Sequence, residues 1–272
     1  MASKIISASS YSNTAPLIWS FLYGSMHGKY EVILDTAPAR SAELLAQNAV
    51  DAALVPVIAY QMTEGVRMLP DVCVGAREKV RSVCLVTEGQ DLAEVKSVSL
   101  DVSSKTSVAL TKIIFREFLG FEPEWKDAEP NLDQMLDESD CALLIGDPAL
   151  VLSEPAAVAD GLSLRKFDLV EIWKKFTGFG FVFAMWMTRN ENCDIDFAAA
   201  RNEGMDHLDE IIANYYEEIS LSAEDFKKYL TENISFSIDN SMRKGLELYF
   251  ELAAKNSLIA ESKQLQFSNP NF

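Results

Sequence analysis

Two stretches of the chain share one grammar. Ile6-Ser-Ala-Ser-Ser-Tyr-Ser-Asn-Thr-Ala-Pro-Leu17 and Val98-Ser-Leu-Asp-Val-Ser-Ser-Lys-Thr-Ser-Val-Ala-Leu110 each run from a short apolar strand, through a hydroxyl-rich turn, into a helix. Strands separated by single helices pair in parallel through right-handed crossovers. The repetition therefore predicts an α/β protein of two lobes. Ligands of open α/β sheets bind beyond the carboxyl ends of the strands, so both turns are expected to face one cleft.

Hydropathy patterning fills in the lobes. Strands are expected at Lys4–Ser9, Tyr30–Asp35, residues 52–55, 81–86, 98–101 and 122–126, Cys141–Ile145 and Phe181–Thr188. Asn13 and Thr14 precede Pro16, which suits the first turn of a helix. Pro38 is expected to break the chain before a helix over residues 41–47, capped by Ser41. The run from Ser103 to Ser107 opens a long helix that stops at Gly120, and residues 131–139 and 168–176 form two more. Residues 197–254 read as helical, with Ser222 and Asn240 as caps, and residues 261–272 as a loose polar tail. Linkers are expected near residues 86–92 and 181–188. Lobe one would then hold residues 1–87, an inserted lobe two residues 88–182, and the return strand and C-terminal helices of lobe one residues 183–272. This is the plan of a two-lobed periplasmic-binding-protein-like fold.

Composition narrows the function. With 24 Lys and Arg against 41 Asp and Glu, the formal charge of −17 argues against nucleic-acid and anionic-membrane partners. Cys73, Cys84, Cys141 and Cys193 form no Cys-x-x-Cys pair and read as core residues of a protein in a reducing compartment. His27 and His207 stand in unrelated contexts, so no metal site is expected. The N-terminus lacks the apolar region of a secretory signal, and no apolar run reaches the length of a membrane span. A cytoplasmic protein is expected. Walker A, G-x-G-x-x-G, G-x-S-x-G and H-E-x-x-H runs are all absent.

What remains is a grammar for a small anion. Exposed N–H groups at a helix N-terminus, flanked by hydroxyls, favour a carboxylate or phosphate. Ser103, Ser104, Thr106 and Ser107 offer this in lobe two, and Tyr11, Ser12 and Thr14 in lobe one. The same residues are ordinary caps and turn formers. Arg40 and Arg81 are candidates for a bidentate carboxylate contact, or are surface arginines. Lys105 is a further candidate for a positive cleft. Asp147, after Gly146, either orients a hydroxyl, acts as acid or base, or starts a turn before Pro148, and Asp101 carries the same ambiguity. The aromatic stretch 176–186 reads as core or hinge packing, with Phe179 or Phe181 available to wall the cleft. On this basis the chain binds a small anion in a cleft, and whether chemistry follows stays open.

Six segments in order carry a resemblance. Ser10-Tyr-Ser-Asn-Thr-Ala-Pro-Leu17, Leu69-Pro-Asp71, Arg81-Ser-Val83, Asp101-Val-Ser-Ser-Lys-Thr-Ser-Val-Ala-Leu110, Leu144-Ile-Gly-Asp147 and Thr177-Gly-Phe-Gly-Phe-Val-Phe-Ala184 resemble motifs of the chorismate dehydratase family of the futalosine route to menaquinone. The likeness extends from Ile5 to Leu252. It implies a type II periplasmic-binding-protein fold used as a cytoplasmic lyase. The implied reaction converts chorismate, a dicarboxylate, to 3-[(1-carboxyvinyl)oxy]benzoate without a metal or organic cofactor. The implied base is the substrate's own enolpyruvyl carboxylate. Asn13 and Ser82 take the catalytic or binding roles that the family motifs carry. The candidate substrate contacts are Tyr11, Ser12, Thr14, Arg81, Ser103, Ser104, Thr106, Ser107, Gly146 and Asp147. Ser12 replaces the family's usual Leu, and Val55-Pro-Val-Ile-Ala-Tyr60 replaces the commoner I-P-S-I-E-Y, which puts any role at positions 57 and 59 in doubt. The alternative is a non-catalytic solute-binding protein for a small carboxylate.

Overall fold

The computed structural model describes residues 3–35, 38–152, 163–219 and 221–270. In the first lobe, β1 (Lys4–Ser9) leads through a turn of 3-10 helix at Ser12–Thr14 into α1 (Ala15–Leu22), then β2 (Tyr30–Asp35), α2 (Pro38–Ala46), β3 (Ala52–Pro56), α3 (Ile58–Met62) and β4 (Arg67–Ala76). The second lobe holds β5 (Val83–Glu88), β6 (Ser97–Asp101), α4 (Lys105–Ile113), β7 (Glu124–Ala128), α5 (Leu132–Glu138), β8 (Cys141–Ile145), α6 (Asp147–Val151), β9 (Leu164–Asp168) and α7 (Leu169–Thr177). The chain returns along β10 (Phe181–Thr188) and ends in α8 (Phe197–Asp206), α9 (Leu208–Ile219), α10 (Ala223–Lys228) and α11 (Asn240–Lys255).

The two five-stranded sheets have matching orders, β2-β1-β3-β10-β4 and β7-β6-β8-β5-β9. The first three strands of each pair in parallel, as the helices between them require. The fourth strand of each is antiparallel to both neighbours. That departs from the parallel pairing expected of helix-separated strands, and the reason is connectivity. β5 and β10 are the strands that arrive from the opposite lobe, so neither follows a helix of its own sheet. Both crossings are shorter and earlier than the expected linkers. They span residues 77–82 and 178–180, because Val83–Glu88 and Phe181–Thr188 are themselves inner strands. β10 is buried along nearly its whole length on both faces, which explains its continuous apolar run.

Local signals set most boundaries. Pro16 lies in the first turn of α1, Asn131 caps α5 through the Gln134 N–H, and Gly120 ends the α4 helix, including its wider last turns at Ile114–Leu119, in the left-handed region. Three expectations shift. Helix α2 starts at Pro38, and Ser41 lies inside it, its buried hydroxyl 2.8 Å from that of Ser7. Asp239, not Asn240, caps α11. The tail is tied down: Tyr60 donates to the Gln264 carbonyl at 2.6 Å, and Met68 N–H donates to Gln266 at 2.9 Å. The four cysteines are buried and form no disulfide. Among the described residues no helix is long and apolar enough to cross a membrane.

Candidate active site

The turn after β1, the start of β5, the N-terminus of α4 and the turn after β8 meet in a cavity between the two sheets. Its polar lining is Ser9, Tyr11, Asn13, Thr14, Ser82, Ser104, Ser107 and the backbone at Gly146. The remainder is apolar and includes Leu54, Val74, Val83 and Phe183. No described side chain that lines it is charged. Hydroxyls and an amide in apolar walls suit an anion that must be oriented without being held by an ion pair.

Each polar group is fixed by its own element. Thr14 Oγ1 is 2.7 Å from the carbonyls of Ser9 and Tyr11, and so holds the first turn against the end of β1. Ser104 is the N-cap of α4, accepting from the Ser107 N–H at 3.4 Å, with the Ser107 hydroxyl 3.2 Å away. Both readings of the Ser104 position therefore coincide, because the cap itself lines the cavity. Gly146 has φ 74° and ψ −145°, a region that only glycine occupies at ease, and its N–H donates to the Ser82 carbonyl at 2.7 Å. That bond fixes the residue just before β5 against the turn after β8.

The remaining sequence candidates frame the cavity. Ser12 is fully buried and donates to Asp147 Oδ1 at 2.5 Å, joining lobe one to the first residue of α6. Asp147 thus meets a serine of the opposite lobe and also opens a helix. Burial pushes the Tyr11 phenol above the usual range, the Ser103 hydroxyl opposes the shift, and Asp101 and Asp147 add to it. Ser103 also borders an adjoining cavity of about 150 Å³ with Lys105 and Pro56. Thr106 turns away: its buried hydroxyl accepts from the Ile58 N–H at 3.4 Å. Arg81 is engaged elsewhere, its guanidinium on Asp225, and Arg40 pairs with Asp35 at 3.1 Å. Asp101 is buried at the end of β6, where it accepts from the Ser103 N–H at 2.9 Å, and desolvation raises its carboxyl. Phe181 is core, stacked edge-on against Trp173 and Tyr249, whereas Phe183 walls the cavity.

One residue behind the cavity wall has no sequence signal. Tyr229, in the turn that continues α10, is completely buried and donates to Ser82 Oγ at 2.8 Å. Asn13 and Ser82 line the same cavity. The distance of Tyr229 along the chain and its place in a plain amphipathic helix hide it from any motif.

A family model described as menaquinone biosynthesis matches residues 5–255. The chain belongs to the menaquinone-biosynthesis family. A relative in this family's line of work, a chorismate dehydratase of Thermus thermophilus, is 30% identical over 235 residues, covering 80% of this chain and 85% of that one. Among solved structures, a protein of Archaeoglobus fulgidus superposes with a TM-score of 0.68 at 15% identity, covering 94% of this chain and 98% of that one. The periplasmic aliphatic sulphonate binding protein of Escherichia coli gives 0.61 at 16% identity, covering 98% and 96%. These two likenesses show the fold, which is that of periplasmic binding proteins. The family member described here carries its matched region across both sheets, including Asn13, Ser82 and Tyr229.

Proposed function

We propose that the protein is a cytoplasmic hydro-lyase that eliminates water from chorismate to give 3-[(1-carboxyvinyl)oxy]benzoate. The observation that carries this reading is the meeting of Asn13 and Ser82 in one cavity with the capped N-terminus of α4, in a chain 30% identical to a chorismate dehydratase. Chorismate carries two carboxylates. One meets Ser104, Ser107 and the N–H groups at the start of α4, where the helix dipole favours negative charge. The ring carboxylate makes the C3–H bond vinylogously acidic. As that bond breaks, its electron pair forms the new ring double bond, the C4–O bond breaks, and the departing oxygen leaves as water. The ring becomes aromatic, so the driving force is internal.

No charged side chain among the described cavity residues is placed to take the C3 proton. The enolpyruvyl carboxylate of the substrate serves as the base. The protein's task is then to orient the substrate, stabilise the developing dienolate and exclude water. It needs no metal or organic cofactor for this. Incubation with chorismate, followed by ultraviolet absorbance and mass spectrometry, tests the reading. The expected result is loss of one water and appearance of an aromatic product. Chorismate bound and returned unchanged would mean a solute-binding protein, the function carried by the sulphonate-binding relative in fold.

A further inference from the structure

We propose that Tyr229 is a positioning residue that fixes Ser82 as a hydrogen-bond donor to the leaving C4 oxygen, which excludes Ser82 as the base. This rests on the dehydratase reading above.

The argument is one of proton direction. The Tyr229 phenol has a single proton, and it goes to Ser82 Oγ at 2.8 Å in a fully buried contact. The donation therefore runs from Tyr229 to Ser82. A hydroxyl that accepts has its own proton left to give, and Ser82 lines the cavity. The bond it accepts from Tyr229 polarises the Ser82 hydroxyl, so Ser82 is a stronger donor than an isolated serine. A donor at that point assists departure of the C4 oxygen. It has no function in removing the C3 proton.

The backbone around Ser82 holds this direction in place. Its carbonyl accepts from Gly146 at 2.7 Å. The preceding residue, Arg81, has φ 64° and is gripped twice: its N–H by Asp168 at 2.6 Å and its guanidinium by Asp225. Asp225 and Tyr229 stand four residues apart, on one face of the same helix. Consecutive residues just before β5, Arg81 and Ser82, are thus held by consecutive turns of one helix. The helix is registered to within the length of a hydrogen bond, which a lone Tyr–Ser contact would not achieve.

The test compares the wild type with Tyr229→Phe, Ser82→Ala and the double variant, measuring kcat and KM for chorismate and the thermal midpoint of each. Tyr229→Phe is expected to lower kcat about tenfold or more, less than the 10²–10³-fold typical of losing a direct donor, with KM changed by less than about threefold. The double variant is expected to be no slower than Ser82→Ala, because Tyr229 acts only through Ser82. Wild-type turnover in Tyr229→Phe, or losses that multiply in the double variant, overturns the inference while leaving the dehydratase reading intact. A wild type that does not convert chorismate overturns both. If Tyr229→Phe does not fold, 3-fluorotyrosine at position 229 keeps the shape and strengthens the donor. The expected result is a rise in kcat of about twofold at unchanged thermal midpoint, and an unchanged kcat overturns the inference.

Discussion

The guanidinium of Arg81 lies on the carboxylate of Asp225 in two parallel contacts of 3.0 and 2.8 Å. The pair joins the crossing between lobes to the C-terminal helices, one residue away from the serine in the cavity. A residue that the sequence offered as a grip for substrate is instead a grip for the scaffold that presents Ser82.

Asp225→Asn should therefore lower stability modestly. The Asp225 side chain is 40% exposed, so water screens the pair and its worth is about 0.5–1 kcal/mol at neutral pH. Arg81 holds this carboxyl below its ordinary value. A depressed carboxyl contributes stability above its unfolded value, near 4, and loses it as pH falls through the folded value. Urea titrations of both proteins should differ at pH 7 and converge in strong acid. A gap that is constant with pH would mean that the pair is not the source of the difference.

Gly245→Ala should destabilise despite improving helix propensity. Alanine is favoured over glycine in a helix interior by about 1 kcal/mol. At this position, however, a Cβ would lie 2.1 Å from the Gly180 carbonyl and 3.2 Å from Phe179 Cβ. Gly180 belongs to the return crossing, so the backbone there must move away from α11. The expected net loss is about 1–3 kcal/mol, read from thermal or denaturant unfolding. A stabilised variant would show that α11 does not pack so closely on the crossing.

Asp168→Ala should be among the most damaging single changes. The carboxylate is almost completely buried and accepts from Val80 at 3.0 Å, Arg81 at 2.6 Å, Val170 at 2.9 Å and Glu171 at 3.2 Å. Its loss removes the N-cap of α7 and strands two N–H groups of the crossing at once. The expected loss is about 3 kcal/mol, and Asp168→Asn, which keeps one acceptor oxygen, should lose less. Equal unfolding midpoints for Asp168→Ala and wild type would refute this account of the crossing.

Ser12→Ala should loosen the lobes. The Ser12–Asp147 bond crosses between them and has a charged acceptor, a class worth about 1.5–3 kcal/mol. Without it the closed arrangement is less populated, so KM for chorismate is expected to rise about tenfold, with a smaller change in kcat. Small-angle scattering of the ligand-free variant should give a larger radius of gyration. An unchanged radius and KM would show that the contact does not hold the lobes.

Much of the cavity lining was legible because it is local. Tyr11, Asn13, Thr14, Ser104 and Ser107 lie in the two repeated turns, and Ser82 and Gly146 flank strands with clear apolar runs, so their place at strand ends follows from pattern alone. Strand β4 was not legible. Pro70 and Asp71 interrupt its apolar run, and the structure absorbs them in an irregularity where pairing jumps from Cys73 to Met68 opposite Met185 and Met187. Asp71 has φ 63° there. A bulge of this kind reads as a turn until the partner strand is known.

The sequence by itself determined the two lobes, the parallel halves of both sheets, the ends of most helices and the hydroxyl-rich turns, because each depends on periodicity and caps within a few residues. Tertiary structure decided the rest. It turned Arg81 toward Asp225, Ser12 toward Asp147 and Thr106 toward Ile58, and it brought Tyr229 to Ser82 across 147 positions of chain. It also set β5 and β10 antiparallel, since each enters its sheet from the other lobe. Where a buried hydroxyl or guanidinium finds its partner depends on which distant surfaces close together, and no local spacing encodes that choice.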